Sequence, residues 1–158
     1  MYGGKSMGKF IGFSNLKENI NYLEEKNKFL NNNFDSEEKK YYINDYTVFN
    51  YLENTAYFAE NFSFGEYAIV LNGTLYNKKE LKQTLKENSN FEVDNISCAE
   101  LILKLYICFN TEIFAKLNGN FSFAIWDGKE KQVILVRDHF GTKPLFYSIV
   151  DNTIVFST

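Results

Sequence analysis

The C-terminal part of the chain is crowded with short runs of aromatic and β-branched residues, NFSFAIWD, QVILVRD, PLFYSIV and TIVFST, joined by DGKEK, HFGTK and DNT. The period and the short connections predict four short strands there. Upstream, GKFIGFS from Gly8 to Ser14 has the size and glycine punctuation of a buried strand, and Leu16, Ile20, Leu23 and Leu30 then mark one face of a helix. The polar stretch NNNFDSEEKK breaks that pattern as a surface loop. YYINDYTVFNY, TAYFAENF and EYAIVL predict three more strands between Tyr41 and Leu71. After Asn72-Gly73, which in isolation is a turn signal, Leu81 and Leu85 return to helical spacing. Ser97, with Glu100 three residues on, has the form of a capping box opening the helix CAELILKLYICF, and TEIFAKL predicts a shorter helix ending at Asn118-Gly119. This order excludes a doubly wound parallel sheet and gives an α+β fold with mainly antiparallel sheets.

At 158 residues, with 45% hydrophobic and 18% aromatic content, one domain over residues 1–158 is expected, with core enough to fold without metal or disulfide. The net charge of -3 lacks the basic excess of a nucleic-acid binder. No run approaches the roughly 18 apolar residues of a membrane span, and the N-terminus lacks the apolar stretch of a signal peptide. Cys98 and Cys108 form neither a disulfide framework nor a metal-ligand spacing, so a cytoplasmic location is expected. Of the 17 basic side chains, only Arg137 is an arginine. The abundance of Asn, Lys, Phe, Tyr and Ile is that of an AT-rich genome.

Two stretches, YAIVLNGTLYNKKELKQTL and LNGNFSFAIWDGKEKQVILVRDHFGTKPLFY, closely resemble the class II glutamine amidotransferase domains of the asparagine synthetase family. The resemblance is good over about residues 66–158 and rests upstream on GKFIGF and the element order. It implies a four-layer αββα sandwich similar to the N-terminal nucleophile hydrolases. In active members the chain begins Cys-Gly-Ile, and the terminal Cys is a thiolate nucleophile with its own α-amino group as base. Matching the family's Gly-Phe to Gly12-Phe13 puts that position at Gly8, which has no side chain, so no catalytic residue is expected. Ser6, two residues earlier on the same strand face, is too far along the strand to substitute and would need proteolysis to become terminal.

The same comparison implies losses in substrate recognition. The family holds the substrate carboxylate with an Arg before the Asn-Gly strand, and here no Arg precedes Arg137. It holds the substrate ammonium with an Asp in a Ser-Asp-x-Glu turn, and here Cys98 occupies that former amine position in Ser97-Cys98-Ala99-Glu100. Each lost contact with a charged group costs about 1.5–3 kcal/mol. Asn72 and Gly73 remain as the remnant of an oxyanion hole.

Cys98 reads as an inert packing residue at a helix start, and Cys108 as core. His139 has no Ser or Cys nucleophile in a recognisable context. Arg137-Asp138 reads as a local ion pair, Gly141 as the turn residue, and the FSFAIW aromatics as a packing face.

The resemblance implies a degenerate amidotransferase-like domain acting as structural partner to an ATP-pyrophosphatase-type synthetase domain, in the same or a neighbouring polypeptide. No cofactor is expected in this chain, and ATP and magnesium only in that partner domain. The chain stops at IVFST, just where relatives continue, so an excised domain or truncated product is expected. Comparable losses of the terminal Cys occur in relatives resembling β-lactam synthetases and lasso-peptide cyclases, whose substrate supplies the amine. Two alternatives stay open: a working glutaminase supplying ammonia for asparagine synthesis, and a stand-alone protein or peptide interaction module; a homodimer is a further candidate assembly. No nucleic-acid or membrane partner is expected.

Overall fold

The computed structural model describes residues 10–15, 39–43, 46–52, 59–150 and 152–158. Strands β1 (Phe10–Asn15), β2 (Lys39–Ile43), β3 (Thr47–Leu52), β4 (Ala59–Phe64) and β5 (Tyr67–Leu75) come first. Helices α1 (Lys78–Asn88) and α2 (Cys98–Phe109) follow, then a 3-10 helix (Asn110–Lys116). Strands β6 (Gly119–Asp127), β7 (Gln132–Arg137), β8 (Phe146–Val150) and β9 (Thr153–Ser157) end the chain. The strands form a five-stranded sheet in the order β2-β3-β1-β9-β8 and a four-stranded sheet in the order β4-β5-β6-β7. Every pairing among them is antiparallel, so the expected α+β class with two antiparallel sheets is observed.

Alternation along β5 and β6 decides what each face covers. Ala68, Val70, Ala124 and Trp126 share an apolar cluster with Phe10, Phe49 and Phe156 of the five-stranded sheet. Ile69, Leu71, Phe123 and Ile125, on the opposite face, join Leu81 and Leu85 of α1 and the apolar side of α2. The central sheet is therefore covered on both faces, which accounts for the unbroken burial from Phe121 to Asp127.

The helix starts show what local sequence controls. Ser97 Oγ accepts from the Glu100 N–H at 3.0 Å, as the capping pattern requires. The reciprocal half is absent, because the Glu100 carboxylate pairs with Lys104 at 2.7 Å one turn on. Ser97→Ala should cost about 1 kcal/mol in chemical denaturation. Asn77, before α1, makes no cap. Its side chain donates to Lys116 O and accepts from Asn118 N–H, tying the exit of β5 to the entry of β6.

Several expectations are corrected. YYINDYTVFNY holds two strands, β2 and β3, so four rather than three strands lie between β1 and α1. Asn72-Gly73 is no turn but lies inside β5, which stays in register with β6 as far as Leu75 opposite Gly119. TEIFAKL belongs to a 3-10 helix. Cys108 is exposed rather than core, since the burial of α2 fades after Tyr106. The predicted helix on Leu16, Ile20, Leu23 and Leu30 lies outside the described residues.

Candidate functional site

The chemistry-bearing positions converge on one end of the four-stranded sheet. Asn72 on β5 stands opposite Ala59 of β4 on one side and Ser122 of β6 on the other. Ser122 in turn stands opposite Arg137 of β7, so Ala59, Asn72, Ser122 and Arg137 form one row across the sheet. Residues opposite each other in antiparallel strands share a face. This row therefore shares the face of Val70 and Ala124, which is turned towards the five-stranded sheet. Asn72 and Ser122 are both buried, and Ser122 Oγ has no hydrogen-bond partner among the described residues.

The polarity of β1 follows from one contact. Ser14 Oγ donates to Tyr46 O at 2.9 Å, and the Tyr46 ring stacks on Trp126, which stands opposite Ala68. The Ser14 end of β1 thus lies at the Ala68 end of β5, and the Phe10 end lies at the Asn72 end. Gly8 and Ser6 fall outside the described residues. Phe10 is wholly buried in the cluster between the sheets.

Gly73 is held in a backbone conformation closed to other residues. Its φ is +129°, and a Cβ there would stand 2.0 Å from Asn120 O and 2.8 Å from Phe121 Cα. Opposite Leu75, a Cβ on Gly119 would stand 2.2 Å from Thr74 O, so β5 and β6 approach closely along this stretch.

Cys98 is the first residue of α2 and is buried in the cluster between that helix and the sheet. The structure adds a group that sequence reasoning missed. Glu60 Oε2, from β4, accepts the Ala99 N–H at 2.8 Å, which puts a carboxylate at the start of α2. The two residues are 39 apart in sequence, and Glu60 sits in a run that reads only as strand.

Arg137 and Asp138 do not form the expected ion pair. Arg137 Nη2 donates to Gly141 O at 2.7 Å, and Gly141 takes the turn with φ +63°. The sole guanidinium is thus on the row of Asn72 but two strands away, about 10 Å by strand spacing, and already bonded. Asp138 is buried and organises the loop instead, accepting from the N–H groups of Phe121, Phe140 and Thr142 and from the Thr142 hydroxyl. Burial alone would raise its pKa, but these donors, led by the Thr142 hydroxyl, hold it at about 2 instead of 3.8.

Because that folded-state pKa lies below the unfolded one, its stabilisation is complete above about pH 4 and is lost as pH falls towards 2. The difference is worth about 2 kcal/mol. Asp138→Asn should lower stability by that order at pH 7 and flatten the acid limb of a denaturation-against-pH series. His139, next to it, is exposed, and no nucleophilic side chain is bonded to it among the described residues.

Tyr106 and Asp127 make the other buried polar pair. The phenol donates to Asp127 Oδ2 at 2.6 Å, while Asp127 Oδ1 accepts from the N–H groups of Lys129 and Glu130 in the β6–β7 turn. Burial first, and then the Asp127 carboxylate, pushes the phenol pKa above its usual value. The pair braces α2 against the hairpin and stands at the end of β6 away from Asn72. Among the described residues no group of three or more His, Cys, Asp or Glu is placed to hold a metal ion, and no helix is long and apolar enough to cross a membrane.

Residues 59–158 match the family described as the glutamine amidotransferase domain. Over 94 residues, 60% of this chain, the sequence is 38% identical to asparagine synthetase [glutamine-hydrolyzing] 2 of Bacillus subtilis. It is 34% identical over 92 residues, 58% of the chain, to asparagine synthetase [glutamine-hydrolyzing] 3 of the same organism. It is also 34% identical over 89 residues, 56% of the chain, to amidase chry2 of Gibberella zeae. The matched regions make up only 12%, 15% and 13% of those relatives, whose chains extend far beyond this region. The match covers β4 to β9, the elements that carry the Asn72 row and the start of α2, and the chain belongs to the glutamine amidotransferase domain family, related to the asparagine synthetases.

Proposed function

We propose that this chain is an amidotransferase-like domain without glutaminase activity, acting as structural partner of an ATP-pyrophosphatase-type synthetase domain in the same or a neighbouring polypeptide. The observation that carries the reading is the nucleophile position. Matching Gly12-Phe13 to the family's first strand leaves Gly8 there, and a residue without a side chain cannot attack a carboxamide. In this reading Asn72 and Gly73 are the remnant of an oxyanion hole with no tetrahedral oxygen to stabilise. Cys98 replaces the carboxylate that would meet a substrate ammonium, and the one guanidinium of the chain is bonded to Gly141 O.

The fold belonging to this reading is a single domain over residues 1–158 with four αββα layers. ATP and magnesium would bind only in the synthetase domain, and the location would be cytoplasmic. A working glutaminase is the competing reading, and one observation favours it: the Glu60 carboxylate accepts the Ala99 N–H, so a negative charge stands at the helix start next in sequence to Cys98.

Co-expression with the synthetase from the same or a neighbouring gene separates the two. With ATP present, amide formation should proceed from ammonium or a substrate amine and not from glutamine. Equal rates with glutamine, accompanied by stoichiometric glutamate, would overturn the proposal.

A further inference from the structure

Ser122 is wholly buried, and its Oγ has no hydrogen-bond partner among the described residues. A hydroxyl taken out of water without a bond opposes folding, so a group in this position has to be accounted for. The ladder cannot serve it. Tyr76 N–H donates to Asn118 O at 2.8 Å, and alternation from that pair makes Asn72 and Ser122 a bonded pair whose backbone N–H groups are spent on each other.

The side chains of its own face remain. Leu71, Leu75, Phe121 and Phe123 all join the cluster shared with α1 and α2, so Asn72, Thr74, Asn120 and Ser122 lie on the opposite face. These four polar residues form two successive rungs, Asn72 opposite Ser122 and Thr74 opposite Asn120. Ala124, the next residue of β6 on that face, offers only a methyl group, and Arg137 on β7 already holds Gly141 O. Opposite residues place their Cβ atoms about 4.5–5.5 Å apart, so a carboxamide not in direct contact with the hydroxyl is still within reach through one water molecule.

We propose that one water molecule is bound at this end of the β5–β6 ladder, between the Ser122 hydroxyl and the Asn72 carboxamide, with Asn120 completing its partners. Three polar side chains are enough to hold a buried water. Ser122 is thereby a positioning residue. A carboxamide can be turned end for end at little steric cost, exchanging donor and acceptor, and a water anchored on Ser122 holds Asn72 in one of the two orientations. The water binds whether or not the domain hydrolyses glutamine, so its test is separate from that of the proposed function.

The sign of one substitution distinguishes a bridged hydroxyl from an idle one. Ser122→Ala removes only the oxygen, and urea denaturation should show the unfolding equilibrium constant rising about ten-fold. In an Asn72→Ala background the same change should cost less than about three-fold, because the bridge is already broken. The unaltered chain gives a direct reading. In ¹⁵N-labelled protein the Asn72 side-chain amide protons should cross-relax with a long-lived water, and that signal should vanish in Ser122→Ala while the signals of the distant Tyr106–Asp127 pair stay in place. A Ser122→Ala protein as stable as the parent or more so, equal losses in the two backgrounds, or no long-lived water at the Asn72 amide overturns the proposal.

Discussion

Gly73→Ala is expected to destabilise the domain by about 3–5 kcal/mol, a large share of the stability of a domain this size. Two costs add. A φ of +129° is closed to residues with a Cβ, and the new methyl would stand 2.0 Å from Asn120 O. That oxygen belongs to a backbone bound in the β5–β6 ladder, so relief means separating the two central strands. Gly65→Ala is the control, with φ +58° but nothing within 4 Å of its added Cβ. It should cost only about 1 kcal/mol. Urea denaturation of the two variants beside the parent protein checks the difference. Equal losses would show that β5 and β6 do not run as close at Gly73 as described.

Glutamine hydrolysis is the second large effect. Enzymes accelerate their reactions by at least ~10⁶-fold, and with Gly8 at the nucleophile position, as proposed, that acceleration should be missing, leaving glutamate formation at the buffer rate. Gly8→Cys, processed to expose the thiol at the terminus, should restore little. The substrate carboxylate would still lack its guanidinium, a loss of about 1.5–3 kcal/mol or roughly 10- to 150-fold in affinity. Calorimetric titration of the parent chain with glutamine reads that deficit without relying on turnover. Micromolar binding would show that Arg137, on the row of Asn72, releases Gly141 to serve as the clamp.

What the sequence discloses follows the range of the interaction. Ser97 with Glu100, Leu81 with Leu85, and the four C-terminal strands are set by neighbours a few residues away, and the structure has them where periodicity and capping put them. Features decided at long range were not legible. The break inside YYINDYTVFNY escapes notice because the interval between Ile43 and Thr47 holds neither Gly nor Pro. Asn72-Gly73 has strong turn propensity, yet β6 continues to pair past it, and the ladder overrides the local preference. At the candidate site, Asn72, Gly73 and Cys98 were visible because motifs mark them. Glu60 at Ala99 and the row from Asn72 to Arg137 arise only when β4, β6 and β7 are laid beside β5. The Arg137-Asp138 misreading has the same origin, since Asp138 is claimed by Phe121, Phe140 and Thr142.

The central claim is that this domain cannot take a glutamyl group onto itself. Intact-mass spectrometry after incubation with an electrophilic glutamine analogue tests it most directly, because an adduct accumulates even where turnover is slow. The account predicts an unchanged mass at analogue concentrations that fully label a relative beginning Cys-Gly-Ile. A stoichiometric adduct on this chain, blocked by excess glutamine, would contradict it.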